Sequence, residues 1–360
     1  MTRTLVVIVG CLAVLVASLS ALWFSPQLQD AVIARMAREH LQADRSDLLA
    51  DGALHIVLCG TGSPLADPER ASACTAVIAA GHIVLIDIGP GATARLAQAR
   101  IPLERVDAVV LTHLHSDHIG DLGNLALQGW IAGRKRPLDV YGPQGTDTVV
   151  TGFGQVFKAD AGFRIAHHGA DYLIPAGDEV DAHVLQIPAP HDVVPVYARD
   201  GLVVTAFLVD HYPVTPAFGY RIAYKGRVVV VSGDTKKNDN VQRYAQGADL
   251  LVHEALSSHL VLQLAKALDA SGDHRRAKMF RDTITYHTSP VDAAAIAHAD
   301  GVRLLVYTHI VPPLPNVLAR HIFLSGVRDA AGDVPTVLGY DGLMLTLPPG
   351  TTAITQDDLL

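Results

Sequence analysis

The chain has 360 residues, with 28 Lys and Arg against 36 Asp and Glu, for a formal net charge of −8. Hydrophobic residues make up 49% and charged residues 18%, which supports a packed core and excludes a mostly disordered chain. The acidic balance gives no sign of a nucleic-acid surface, which needs clustered Lys and Arg.

Residues 5–24 read LVVIVGCLAVLVASLSALWF, without a charge. That is long enough for a spanning helix, and it lacks the polar stripe of a helix on a globular domain. Arg3 precedes the run, which favours a cytoplasmic N-terminus and an exported remainder. Residues 1–25 therefore read as a membrane anchor or as a signal peptide, with Ser18-Leu19-Ser20 as a small-x-small site. Ile8-Val9-Gly10-Cys11 has the form of a lipoprotein cleavage box, but the apolar stretch before it is too short. Either main reading puts the rest in the periplasm or outside the cell, or holds it at the inner membrane through residues 5–24. Residues 26–50 follow as a linker helix, with Leu28, Val32, Ile33, Met36 and Leu41 at helical spacing.

Residues 51–360 form the main domain. LHIVLCG at 54–60 is a short apolar strand. CTAVIAA and HIVLIDIG form a hairpin at Gly81, and a helix starts after Gly89-Pro90-Gly91. VDAVVLTH is a buried strand, DLGNLALQGWIAG a helix and LDVYG a strand. The stretch from about 150 to 205 has weak periodicity and contains Pro188, Pro190 and Pro195, so several short strands are predicted there. FGYRIAY and RVVVVSGD form a second hairpin around Lys225-Gly226. DLLVHEA is another strand, residues 256–283 are helical, VDAAAIAHAD is a helix and RLLVYTH a strand. PTVLGYDGLMLTLP closes as one or two strands. Each half runs hairpin, apolar strand ending in His or Asp, then helix, which predicts two sheet-plus-helix halves in an α/β sandwich. Beyond the apolar run the cysteines are Cys59 and Cys74. An oxidising compartment would let them pair, but two buried thiols in neighbouring strands is the preferred reading.

The unusual count is histidine, 18 against 8 Phe and 2 Trp. Residues 111–120 read LTHLHSDHIG, directly after the apolar strand VDAVVL. His113, His115, Asp117 and His118 are too many ligands for one catalytic Zn²⁺, which takes three protein ligands and a water. They suit two metals, with His113 and His115 on one and Asp117 and His118 on the other. Other strand ends repeat the theme. Asp234 ends RVVVVSGD, His309 ends RLLVYTH, and His211 precedes FGYRI. A pair of metals needs a bridging ligand, and the two oxygens of Asp234 suit that position. His211 then completes the first site and His309 the second. His253 also lies at a strand end, where the adjacent Glu254 complicates its reading. His167 and His168 read as surface loop, with lining of the substrate cleft as the alternative, and His259, His274, His298 and His321 as solvated. Arg275, Arg276 and Lys278 read as a solvated helix face, with contact to an anionic substrate as the alternative. Tyr220 and Arg221 lie in a strand from which one could reach the site.

HLHSDH resembles the HxHxDH signature of the metallo-β-lactamase superfamily. GTGSP at 60–64, DIGPG at 87–91, FGYRI at 218–222, SGDT at 232–235, HEA at 253–255 and HTS at 287–289 are similar to the ribonuclease Z branch. That branch also contains exported arylsulfatase-type enzymes and a class of cyclic-nucleotide phosphodiesterases. The resemblance implies a four-layer αββα sandwich behind the N-terminal hydrophobic helix, and a dinuclear, usually zinc, site. It implies His113, His115 and His211 on one metal, Asp117, His118 and His309 on the other, and Asp234 bridging. It also implies that Glu254 and His287 form a relay, with His287 as proton donor to the leaving group, and that Asp87 is a structural residue near the site. Asp117 would orient the attacking water. Mn²⁺ and Fe²⁺ also accept such ligands.

Some features depart from the branch. Ribonuclease Z proteins carry a basic, Gly/Pro-rich arm that grips transfer RNA, and nothing in residues 135–210 resembles it. HTS stands where they usually show HST. β-Lactamases usually place Cys where this chain has Asp234. The expected function is therefore a metal-dependent hydrolase of a small anionic ester, arylsulfatase-like, with nucleic acid not expected as a partner and a homodimer left open. The alternative is a phosphodiesterase or ribonuclease Z-type 3′ tRNA endonuclease. A reading from another class is a metal-bearing periplasmic binding protein without catalysis.

Overall fold

A computed structural model describes residues 2–41, 44–188 and 192–360; Pro190 of the proline-rich middle lies outside them. The chain divides into two compact units, 1–45 and 46–360. The first holds α1 (Thr2–Phe24) and α2 (Pro26–Leu41). Within α1, Val6–Phe24 has a mean hydropathy of 2.5 over 19 residues, long and apolar enough to cross a membrane by length and composition.

The second unit is built on two mixed sheets. Its first half carries β1 (Leu54–Gly60), β2 (Cys74–Ala79), β3 (His82–Ile86), α3 (Ala92–Gln98), β4 (Val106–Val110), α4 (Ser116–Ile119), α5 (Leu122–Ile131), β5 (Leu138–Gly142), α6 (Thr146–His168) and β6 (Val180–Val184). Its second half carries β7 (Val193–Arg199), β8 (Leu202–His211), β9 (Val214–Tyr224), β10 (Arg227–Val231), α7 (Asp239–Ala245), β11 (Leu250–Leu256), α8 (Ser258–Ala270), α9 (His274–Thr283), α10 (Pro290–Ala299) and β12 (Leu304–Val311). The chain closes with α11 (Val317–Phe323), α12 (Val327–Ala331), β13 (Thr336–Leu338), β14 (Leu343–Leu347) and β15 (Thr355–Asp358). One sheet runs β15-β14-β1-β2-β3-β4-β5-β6 and the other β13-β12-β11-β10-β9-β8-β7.

Strand alternation sorts the side chains into layers. Leu54, Ile56 and Leu58 of β1 share one buried core with Tyr220 and Ile222 of β9 and Val252 of β11, between the sheets. Val57 and Ile78 face the other way, into a core with Leu96 of α3 and Leu125 of α5. Leu251 and Leu305 face α7 and α10 through Val241, Ala294 and Ile296. Strands buried on both faces read as the continuous apolar runs seen in the sequence, and the result is the expected αββα sandwich. The internal echo has a structural form. β2 pairs antiparallel with β3, after which β4, β5 and β6 add in parallel. In the other sheet β8, β9 and β10 are antiparallel, and β11, β12 and β13 add in parallel.

The structure corrects the sequence reading in several places. Cys59 and Cys74 form a disulfide between β1 and β2, their Cα atoms 5.0 Å apart, where two separate thiols were preferred. The bond closes a loop 15 residues long, and constraint of the unfolded chain by such a loop is worth about 3 kcal/mol. Cys59→Ser with Cys74→Ser is expected to lower unfolding free energy by about that amount, read from denaturant melts under non-reducing conditions. The middle holds a 23-residue helix, α6, in place of short strands. Few of its residues are buried (Thr146, Val150 and Ala161), so it shows no continuous apolar stripe. His167 and His168 end that helix, exposed, instead of lying in a loop. β15 was not anticipated because its TQDD sequence is polar and wholly exposed.

Asp300 follows α10, where a negative charge opposes the helix dipole. Its Oδ2 is buried without a hydrogen-bond partner, and burial pushes its carboxyl up to about 6. A carboxylate raised in the folded state costs stability above that pKa and nothing below its unfolded value. Asp300→Asn is expected to stabilise the protein by about 1 kcal/mol at pH 8, after discounting for partial solvent exposure. The gain should vanish by about pH 4, which thermal melts at the two pH values can check.

Candidate metal centre

The candidate ligands come from four strands along one edge of the two sheets. His113 and His115 follow β4, and Asp117 and His118 sit in the single turn of α4. His211 ends β8, Asp234 follows β10, and His309 lies in β12. Local backbone irregularities aim several of these side chains. The β11–β12 register slips so that Glu254 faces Thr308 and Ala255 faces Ile310. His309 is thus the extra residue of a bulge, with φ 45°, turned out of the strand's alternation. Asp87, just past β3, is also left-handed at φ 59°. Such positions cost about 1–3 kcal/mol for a non-glycine residue and cluster at functional sites. Gly233 has φ 61°. A Cβ there would meet the Phe218 carbonyl and come within 3.1 Å of Thr112 Cγ2, so only glycine allows the turn that delivers Asp234.

The structure brings all seven sequence-predicted ligands together. Ligand atoms of His113, His115 and His211 lie within 4.8 Å of one another, and so do those of Asp117, His118 and His309. Asp234 reaches both groups. Its Oδ2 is 3.3 Å from His118 Nε2, 3.3 Å from His309 Nε2 and 4.0 Å from His113 Nε2. Asp117 Oδ2 is 3.1 Å from His309 Nε2 and 3.5 Å from His118 Nε2.

The donor set fits divalent cations on its own geometry. The Nε2 atom of His211 is buried without a hydrogen-bond partner, and buried polar atoms seldom stay unpaired. His113 Nε2 faces His115 Nδ1 at 2.9 Å, an arrangement of two lone-pair donors that needs a proton or a cation. Imidazole and carboxylate together suit zinc and related ions. Neighbours fix several rings from behind, as expected around metal ligands. Asp87 Oδ2 lies 2.7 Å from His118 Nδ1. Asp87 also accepts hydrogen bonds from the Thr112 amide and hydroxyl, both at 2.8 Å. Thr112 Oγ1 lies 3.0 Å from His113 Nδ1, and His211 Nδ1 donates to the Tyr286 carbonyl at 3.1 Å. Asp87 therefore occupies the structural position the resemblance implied.

Burial governs the protonation states. It pushes His113, His115 and His211 below the usual histidine range, and the charge of His118 adds to this at His113. Those rings stay neutral, the form that binds metal. Burial works against charge on Asp117 and Asp234, but hydrogen bonds and charge from His118 and His309 overturn it, and both carboxyls are held well below their usual range. His118 goes the other way. Burial disfavours its charge, and Asp234, Asp87 and Asp117 outweigh that. A metal arriving there would displace a proton.

Glu254 and His287 lie beside the ligands. Glu254 Oε2 is 3.2 Å from His287 Nδ1, an ion pair whose angle is poor for a hydrogen bond. Glu254 Oε1 accepts from the Thr288 amide at 2.8 Å. Burial lowers the His287 pKa, but the charge of Glu254, with Asp234 behind it, wins and raises the ring to about 9. His253 points to the opposite face of β11, buried, with Nδ1 donating to the Glu254 carbonyl at 2.7 Å, and does not join the cluster. Tyr220 is buried and donates to the Leu111 carbonyl at 2.7 Å. It supports the end of β4, and its hydroxyl is taken up there. Arg276 and Lys278 pair with Asp273 and Asp282 on an exposed helix face. His259, His274, His298 and His321 are exposed.

Sequence reasoning missed Thr112, Tyr286 and Asp341. Asp341 accepts from the Thr61 amide at 2.9 Å, the Thr61 hydroxyl at 2.8 Å and the Ala71 amide at 2.6 Å. It thereby seats the GTGSP loop, whose Thr61 carbonyl accepts from Ile310 N at 2.9 Å, next to His309. Position beside a candidate ligand was the available signal for Thr112, and position beside the candidate proton donor His287 for Tyr286. No signal marked Asp341.

Comparison with known proteins places the chain. A family model described as a β-lactamase superfamily domain matches residues 82–310. A protein named Ribonuclease Z from Mycobacterium bovis (strain BCG / Pasteur 1173P2) is 39% identical over 264 residues, 72% of this chain and 87% of the relative. The chain belongs to the β-lactamase superfamily and, within it, to the ribonuclease Z family. A Ribonuclease Z from Mycolicibacterium paratuberculosis (strain ATCC BAA-968 / K-10) is 37% identical over 78% of this chain and 94% of its own length. The metallo-β-lactamase fold protein YhfI from Bacillus subtilis superposes with a TM-score of 0.59 at 18% identity, covering 82% of this chain and 100% of that one. The short form of human tRNase Z superposes with a TM-score of 0.56 at 22% identity, covering 82% and 99%. These two likenesses concern the fold. As a member of this family the chain is a metal-dependent hydrolase of ester bonds, and its His and Asp clusters are suited to divalent metal ions.

Proposed function

We propose that this centre holds two Zn²⁺ ions and hydrolyses phosphodiester bonds in RNA, as a 3′ endonuclease of the ribonuclease Z type. The observation that carries the reading is the convergence of seven ligands beside the Glu254–His287 pair. Binding alone needs no proton donor, so that pair argues against a non-catalytic binding protein. The sequence alone put a small anionic ester first and RNA second. Identity of 39% to a protein named Ribonuclease Z supports the reverse order, and the arylsulfatase reading falls behind.

His113, His115 and His211 would hold one ion, Asp117, His118 and His309 the other, with Asp234 shared. Divalent ions bound there supply Lewis acidity and lower the pKa of water towards neutrality. Asp117 directs the water and can accept its proton. His287 gives a proton to the departing oxygen, and Glu254 keeps that ring charged. A short phosphodiester is the second reading. It is favoured by residues 135–210, which carry five Lys and Arg against ten Asp and Glu, and by proposed export. The apolar Val6–Phe24 segment and the Cys59–Cys74 disulfide support export, since disulfides persist in oxidising compartments.

The test is side-by-side turnover of precursor tRNA, a bis-aryl phosphate and an aryl sulfate by the metal-loaded full-length chain. Cleavage of precursor tRNA together with the phosphate diester is expected. Turnover of the sulfate alone would overturn the proposal. Turnover of the phosphate diester without the RNA would select the second reading.

A further inference from the structure

We propose that Tyr286 forms a stacking wall for an aromatic ring, a nucleobase or an aryl group, on the leaving-group side of the ester. Tyr286 lies three residues past the end of α9 and directly before His287. Its carbonyl fixes the tautomer of His211, and its ring meets the His211 ring edge-on, centroids 5.1 Å apart at 86°. The His287 ring is 4.9 Å away at 48°. The aromatic ring therefore packs against both a candidate metal ligand and the candidate proton donor, whose own rings lie 5.3 Å apart. It is half-buried, so those contacts leave part of it open. Its hydroxyl makes no hydrogen bond among the described residues.

Packing against His211 would be served by any apolar side chain of similar size. An aromatic ring adds a π-face, and stacking of a base on such a face is worth about 1–3 kcal/mol. The leaving oxygen must lie within reach of His287, so the group attached to it passes beside residue 286. This step rests on the proposed role of His287. It does not require that the natural substrate be RNA, because an aryl ester presents the same face.

The probes are adenosine 5′-monophosphate and ribose 5-phosphate, which share a phosphate head and differ by the base. Each is titrated calorimetrically into the metal-loaded full-length chain. The native protein and Tyr286→Phe should bind the nucleotide about 5- to 150-fold more tightly. Tyr286→Leu keeps an apolar body against His211 and should bind the two probes equally, with metal content unchanged. A nucleotide preference that persists in Tyr286→Leu overturns the proposal, as does its absence from the native protein. If Tyr286→Leu loses metal, Tyr286→Met takes its place with the same expectation. RNA oligonucleotides with and without a base at the leaving nucleotide supply a second readout. The base should lower KM in the native enzyme and leave kcat nearly unchanged. Failure to cleave any RNA while the nucleotide preference follows the ring at 286 would overturn the RNA reading and leave this inference standing.

Discussion

Asp234→Ala is expected to strip metal from the centre and to lower kcat/KM by more than about a thousandfold, or about 4 kcal/mol of transition-state stabilisation. Among the described residues Asp234 is the one carboxylate that approaches rings of both ligand groups, His118 and His309 at 3.3 Å and His113 at 4.0 Å. On the proposed reading its removal would cost each ion a ligand. Asp87 offers the graded comparison. It touches His118 from behind, at Nδ1, so Asp87→Ala should weaken metal binding by about 10- to 100-fold without abolishing it. Elemental analysis of the purified variants separates the two cases. Two equivalents of metal retained by Asp234→Ala would end the case for a shared carboxylate. Loss of fold is a separate question, answered by far-UV circular dichroism, since Asp234 lies at a strand end and not in the apolar layers.

The metal centre was legible because its chemistry is written in short words at the ends of apolar strands. LTHLHSDHIG puts four candidate ligands in six residues, Asp234 and His211 fall at the ends of their strands, and His309 closes the apolar run RLLVYTH within β12. Residues that act through backbone shape were less visible. His309 is aimed by a bulge that no composition signals. His253 and Glu254 looked ambiguous as neighbours, yet strand alternation sends them to opposite faces, and only Glu254 faces the cluster. Asp341 lies more than 200 residues from the loop that it seats, and no local pattern links them. The fold was legible where both faces of a strand are buried, because the apolar run is then continuous. α6 was not, since it buries few of its residues and carries Gly152, Gly154 and Gly162 along its length. The disulfide was misjudged for a different reason. Spacing along the chain says nothing about register, and it is the slip between Leu58 and Gly60 that sets Cys59 against β2.

His287→Gln is expected to lower kcat by about 10²- to 10⁴-fold, the usual worth of a positioned acid, while metal content stays the same. A proton donor works only in its charged form. With the ring raised to about 9, the native rate should hold through neutral pH and fall as pH rises past that value. Glu254 is the group that outweighs burial here, so its loss has a defined sign. Glu254→Gln leaves the desolvation and removes the attraction, and the ring pKa should fall towards or below its ordinary value of about 6.5. The alkaline limb of the rate profile then moves to lower pH, and the rate near pH 8 drops. An unmoved limb in Glu254→Gln would assign it to some other group. The leaving group supplies a further control. A nitrophenolate departs without needing a proton, whereas a ribose hydroxyl does not. The His287→Gln deficit should therefore be large on RNA or alkyl esters and nearly absent on a nitrophenyl ester. Equal deficits on both would mean that His287 serves the architecture around His211 and Glu254, with no part in proton transfer.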